Sequence, residues 1–246
     1  MLEDHQPILE KIDHLKQEIA QKKPLNQGEL MELKKWYQVT YTYHSNAIEG
    51  SSLTLEETRL VVEDGLTVEG KPLREVFEAT NHSKAIDLIY QLAQSKKPVD
   101  EETVKQVHQV ILANIDEENA GKYRRVAVQI SGEEEPLPLS SEVPAQMSAL
   151  FNWLEKAPLN LKTIAKWHYD FVKIHPFVDG NGRTARLVVN LMLMQLGYPI
   201  QIIPIVRRRE YISSLHSSRS FDDFLTFFLS VQYESMKDYL RMLGDD

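Results

Sequence analysis

The stretch His175-Pro176-Phe177-Val178-Asp179-Gly180-Asn181-Gly182-Arg183-Thr184-Ala185-Arg186 gathers more reactive residue types than any other part of this 246-residue chain. His175 stands where an apolar-patterned helix must end, because Pro176 disfavours α geometry at the residue before it. A carboxylate, Asp179, follows four positions later. Gly180, Asn181 and Gly182 let the backbone turn its N–H groups inward as an anion nest. That loop opens a second helix, whose free first-turn amides and dipole favour a phosphate. Arg183 and Arg186 are i and i+3, so both can point the same way. A nest, two guanidinium groups and one carboxylate make a polyphosphate site with a divalent cation. Asp179 is suited to Mg2+, which takes few carboxylates and several phosphate oxygens. His175 is the group here that titrates near neutrality, and so is the candidate general base.

Each piece alone has an ordinary explanation. Gly-Asn-Gly is usually a turn, a histidine at a helix end usually packs, and paired arginines are usually solvated. So much polar and glycine content between two apolar helices, however, costs stability unless it serves a site.

The elements that must position these residues read as helices almost throughout. Residues 29–49 repeat apolar side chains at Leu30, Leu33, Trp36, Tyr37 and Tyr41, with Gly50 placed to stop that helix. Thr54 and Glu57 form a capping-box pattern that opens a short helix running to Gly65. A longer helix spans about 73–94, burying Val76, Ala79, Ile86, Tyr90 and Ala93. Asp100 caps the next, with Val104, Val107, Ile111 and Ile115 on its buried stripe. Residues 126–139 differ. Arg125 to Ile130 alternate polar and apolar side chains, Ser131-Gly132 resembles a turn, and Pro136 and Pro138 follow, which predicts a small β-hairpin. Ile164, Trp167, His168, Phe171 and Ile174 then predict the helix that ends at His175. The run 187–194 is apolar on nearly every face and belongs at the centre of a bundle.

Composition sets the class. The chain holds 42% hydrophobic residues, a formal net charge of −8 and no cysteine. It reads as globular, with no disulfide or thiolate chemistry. The charge argues against a broad nucleic-acid surface, and the short run Val206-Arg207-Arg208-Arg209 reads as a solvated turn. The first twenty residues mix charge signs without an apolar run, and no stretch approaches a membrane span. The expectation is a cytoplasmic protein with no membrane or nucleic-acid partner. His168 reads as a core histidine, His44 as a support for the helix containing Ser45, and His82 and His108 carry no signal.

The segment 175–186 resembles the Fic motif, H-x-F-x-[D/E]-G-N-G-R-x-x-R, and matches it at every specified position. Gly121-Lys122-Tyr123-Arg124, Val143-Pro144-Ala145-Gln146-Met147, Trp153-Leu154 and Leu196-Gly197-Tyr198-Pro199 resemble its surroundings. The resemblance implies an all-α, Fic-type helical bundle with a small β-hairpin flap and an N-terminal helical extension. It divides the chain into a helical region at 1–96, a Fic (Fido) domain at 97–232 and a helical tail at 233–246. It also implies a protein adenylyltransferase (AMPylase) with ATP as co-substrate and Mg2+ as cofactor. His175 would take the proton from a Tyr, Thr or Ser hydroxyl of a target protein. Asp179 would position Mg2+, the amides of Gly180, Asn181 and Gly182 would meet phosphate oxygens, and Arg183 and Arg186 would hold the β- and γ-phosphates. The flap at 126–139 would dock the target by strand addition, with Ile130, Ser131, Gly132 and Glu133 near the nucleotide. Tyr211 lies where relatives place an aromatic ring near adenine, although Ile212 follows where they often carry a second aromatic. Self-modification and a homodimer are further implications.

Ser45-Asn46-Ala47-Ile48-Glu49-Gly50 resembles the inhibitory motif [S/T]-x-x-x-E-[G/N] of the same family. Ser45 and Glu49 share a helix face, and the resemblance implies that Glu49 pairs with Arg186 in the place of the γ-phosphate. Three other readings stand beside AMP addition. They are removal of AMP from a modified protein by Glu49, transfer of UMP, phosphate or phosphocholine, and a non-enzymatic ATP-binding module.

Overall fold

A computed structural model describes residues 4–22, 24–129, 135–216 and 218–244. Ten α-helices are present among the described residues: α1 (Gln6–Gln21), α2 (Gln27–Ile48), α3 (Leu55–Glu63), α4 (Leu73–Ser95), α5 (Glu101–Leu112), α6 (Val143–Lys156), α7 (Leu161–Ile174), α8 (Asn181–Gln195), α9 (Arg208–Leu215) and α10 (Phe221–Met242). A short 3-10 turn at Ile205–Arg207 leads into α9. None of these helices is long and apolar enough to cross a membrane.

The helix starts follow the side chains expected to make them. Thr54 and Glu57 form a reciprocal capping box at α3, and Asp100 Oδ1 accepts from the Thr103 amide at 2.8 Å to open α5. Asn26 and Glu29 make a further capping box at α2. α8 is the centre, as its all-round apolar sequence requires. Leu187, Val188, Leu191 and Leu193 are fully buried, and α4, α5 and α7 pack around the helix. α1 lies along α10, and α10 continues from Phe221 to Met242 without interruption.

Leu30 and Trp36 are exposed, while Leu33 packs against the core and Tyr37 and Tyr41 lie within it. Three expectations change. α5 stops at Leu112, so Ile115 packs from the loop beyond it. Residues 126–129 and 135–139 form no strand, and the tip from Ile130 to Glu133 lies outside the described residues. Pro136 and Pro138 lack the amides a ladder needs. Instead, the Arg124 guanidinium bonds the Val126 and Pro138 carbonyls on the two arms. Finally, the basic run at 206–209 is no mere solvated turn. Arg207 bonds Glu210 and Ser230, and Arg208 Nε donates to the Ile48 carbonyl at 2.6 Å.

Candidate active site

α7 ends at His175 in a left-handed conformation, φ 50° and ψ 61°. Pro176 closes the right-handed region to His175, and the left-handed alternative costs a non-glycine residue about 1 kcal/mol. The turn that follows is tied by Asn181, whose side chain accepts from the Phe177 amide and donates to the Phe177 carbonyl, both at 2.9 Å. Phe177 is fully buried and stacks on His108 with ring centroids 3.6 Å apart. His108 holds the loop from outside. Its Nε2 meets the Asp179 carbonyl at 2.9 Å, and its Nδ1 accepts from the Gly121 amide at 2.9 Å. Gly180 takes φ 74° against Ile111 and His108, where a Cβ would be strained and crowded.

Arg183 and Arg186 leave the first turn of α8 side by side, each only 2–3% exposed. Arg183 Nη1 pairs with Glu78 Oε1 at 3.2 Å and Nη2 with Asp179 Oδ1 at 3.3 Å. Arg74 of α4 bonds both Glu78 and Asp179. Arg74, Glu78, Arg183 and Asp179 therefore form a closed ring of alternating charges. Burial pushes the Asp179 carboxyl up, but Arg183, the Gly180 amide and Arg74 together hold it below the ordinary value. Burial works against the charge of Arg186, but Glu49 together with Tyr211 and Tyr41 outweighs it, raising the pKa.

The end of α2 closes over Arg186. Ser45 Oγ accepts from Nε at 3.0 Å, the Ser45 carbonyl from Nη2 at 2.8 Å, and Glu49 Oε1 from Nη2 at 2.7 Å. Glu49 reaches so close to α8 that a Cβ on Gly182 would run into its carboxylate. Arg186 Nη1 and Arg183 Nε are buried without hydrogen-bond partners. Two orphaned cationic donors beside the free amides of a helix start fit a polyphosphate. Asp179, ionised and 41% exposed at its side chain, is a hard oxygen donor open to a divalent cation. No three His, Asp or Glu groups converge among the described residues, so such a cation would draw most of its ligands from phosphate and water.

Burial lowers the His175 pKa to about 4, with the Val172 carbonyl and Glu49 only partly offsetting it. The ring is thus neutral at pH 7 and has a lone pair to offer.

The motif residues from His175 to Arg186, with Ser45 and Glu49, are brought together in one place. Residues 98–193 match the Fic/DOC family model. The chain carries a Fic/DOC-family domain. It is 34% identical over 213 residues to "Protein adenylyltransferase fic-1" of Caenorhabditis briggsae, covering 83% of this chain and 41% of the relative. It is 37% identical over 187 residues to "Protein adenylyltransferase Fic" of Nematostella vectensis, covering 74% and 43%. The chain thus spans less than half the length of these curated relatives. Its fold matches a Fic-1 structure from Caenorhabditis elegans with a TM-score of 0.84 at 28% identity, over 96% of this chain and 72% of that one. A Fic domain containing signaling protein from Bacteroides thetaiotaomicron gives a TM-score of 0.81 at 27% identity, over 98% and 97%.

Other residues of this Fic protein lie around the motif. Tyr211 is 3% exposed, with its hydroxyl 3.0 Å from His168 Nε2 and its ring 5.8 Å from the Arg186 guanidinium carbon. Its buried ring lies beside Arg186. His168 is the core histidine expected, and His44 Nδ1 accepts from the Ile205 amide at 3.1 Å. Sequence reading passed over Arg74, Glu78 and His108. Arg74 and Glu78 carry only an i, i+4 charge pattern, which most surface helices share. His108 had a usable signal, a histidine on the same stripe as Val104, Val107 and Ile111.

Proposed function

We propose that this Fic protein transfers AMP from ATP to a Tyr, Thr or Ser hydroxyl of a target protein and is held inactive by Glu49. The observation that carries this reading is the Glu49–Arg186 pair beside a neutral His175 and two orphaned arginine donors. His175 takes the proton of the target hydroxyl. The oxygen bonds to the α-phosphorus as the bond to the bridging oxygen breaks, and pyrophosphate leaves. Arg183 and Arg186 hold the β- and γ-phosphates, and the amides of Gly180, Asn181 and Gly182 meet charge that grows on phosphate oxygens. Bound at Asp179, Mg2+ would neutralise charge between the α- and β-phosphates. The phosphates in turn raise the His175 pKa above its low resting value.

Glu49 occupies the place of the γ-phosphate on Arg186, and ATP then binds only in a pose unsuited to in-line attack. The segment 126–139, with Ile130, Ser131, Gly132 and Glu133 at its tip, is the flap on which the target backbone docks by strand addition. Tyr211 is the aromatic ring assigned to the adenine side of the site. Residues 1–96 make the inhibitory region, 97–232 the catalytic domain, and 233–246 the tail in which α10 ends. A second reading, removal of AMP by a water that Glu49 activates, is supported by the same carboxylate standing in the site.

The test is transfer of label from ATP carrying radioactivity on the α-phosphate. Wild type is expected to label itself weakly, Glu49→Gly strongly, and Glu49→Gly/His175→Ala not at all. Nucleotide binding without labelling by Glu49→Gly would sink AMP addition and favour the second reading.

A further inference from the structure

We infer that Arg124 is a positioning residue that locks the His175 turn and both arms of the segment 126–139 into one unit. Arg124 is 2% exposed, yet it makes no ion pair among the described residues. Its charge is met by backbone carbonyls from three separate places. Nε donates to the His175 carbonyl at 2.8 Å, Nη1 to the Val126 carbonyl at 3.3 Å, and Nη2 to the Pro138 carbonyl at 2.6 Å. The Arg124 amide adds a fourth bond, to the Pro176 carbonyl at 2.9 Å.

A buried guanidinium facing only dipoles costs desolvation that simple packing would not require. What it supplies is geometry. A planar fork can take three carbonyls at fixed angles, whereas the compact ammonium of lysine cannot. One of those carbonyls belongs to His175, the residue held in the left-handed conformation. Such a turn persists only where its surroundings over-determine it. Arg124 and its own amide grip both peptide oxygens that follow the strained residue. The other two carbonyls lie on opposite arms of the segment, where the prolines leave few ladder bonds possible.

This inference deepens the proposed function and rests on it. If 126–139 presents the acceptor hydroxyl and His175 takes its proton, one side chain fixes the distance between presenter and base. Positioning of this kind is worth about 100-fold for a shift of about 1 Å. Arg124 touches neither Arg183 nor Arg186, so its loss should act far more on the rate than on ATP binding.

The experiment compares Glu49→Gly with Glu49→Gly/Arg124→Lys and Glu49→Gly/Arg124→Gln by two readouts. The first is backbone hydrogen exchange, which needs no catalysis. Exchange is expected to quicken at 126–129 and 135–139 and at the 175–177 turn, while α4 and α8 keep their protection. The second is the rate of self-labelling against ATP concentration. The maximal rate is expected to fall about 10- to 100-fold, with half-saturation by ATP unchanged within about twofold. Unchanged exchange in both arms overturns the inference. So does loss of ATP binding in step with the rate, since that marks general disruption. Should Glu49→Gly itself transfer no AMP, the functional reading fails, while the exchange comparison still judges the clamp.

Discussion

His175 accepts a proton only while its ring is neutral, and burial keeps it neutral down to about pH 4 in the resting protein. Activity dependent on this base is lost as pH falls through the folded-state pKa. Transfer by Glu49→Gly should therefore hold level below the ordinary imidazole value of about 6.5. Bound phosphates move the acid limb up from about 4, and initial rates across the acid range locate it. A limb at or above the ordinary value would show that His175 is not shielded as described. Arg74 makes a second residue-scale prediction. Its guanidinium lies on the carboxylate that the proposed cation needs, so Arg74→Ala should lower the Mn2+ or Mg2+ concentration for half-maximal nucleotide binding. The pair is more than half exposed on the arginine side, which limits the gain to about 2- to 5-fold. Binding of a fluorescent ATP analogue against metal concentration measures it, and an unchanged requirement would remove Arg74 from the site.

Among the elements, α2 is the brake in the proposed function, and two contacts beyond Glu49 hold its end in place. Ser45 gives Arg186 both its hydroxyl and its carbonyl, while Arg208 of α9 caps the α2 terminus at the Ile48 carbonyl. A hydrogen bond to a charged partner contributes about 1–3 kcal/mol. Arg208→Ala should therefore fray the last turn and raise wild-type self-labelling about 3- to 10-fold, well short of Glu49→Gly. Labelling equal to wild type would mean that α9 does not restrain the brake. The boundaries of these helices were largely legible in the sequence because their signals are local: Thr54 with Glu57, Asp100, Pro176 after His175, and Gly50 after Glu49. The cap on α2 was not legible, because Arg208 lies 160 residues from Ile48 in the chain and looks like one more surface arginine. The arms of 126–139 misled for a related reason. Alternation suggested a ladder, but the prolines hand their pairing to a side chain whose role no local pattern records.

Across the whole molecule, four histidines are buried without charge. Burial, together with a nearby arginine in each case, lowers His168 to about 3, His108 and His175 to about 4, and His82 well below its ordinary value. The unfolded chain protonates these rings near 6.5 while the folded one does not, so the unfolded state binds more protons between the two values. Stability is then lost as pH falls from about 6.5 toward 4, at up to about 1.4 kcal/mol per pH unit for each ring. Thermal unfolding midpoints should drop steadily across that window, and a flat profile would contradict the burial of these rings. Glu49→Gly should also unfold a few degrees earlier, because buried Arg186 loses its counter-ion, and saturating ATP should restore the loss. The bundle and its motif loop were readable in advance because apolar periodicity and the spacing from His175 to Arg186 act over short distances. The ring formed by Arg74, Glu78, Arg183 and Asp179 was not, because α4 meets α8 only once the fold exists.

The central claim is that Glu49 restrains a His175-dependent transfer of AMP. It is tested most directly by the intact mass of Glu49→Gly and Glu49→Gly/His175→Ala after incubation with ATP and Mg2+. The account predicts a gain of one or more whole AMP groups in the single variant and none in the double variant. A gain in both, or addition of a lone phosphate, would contradict it.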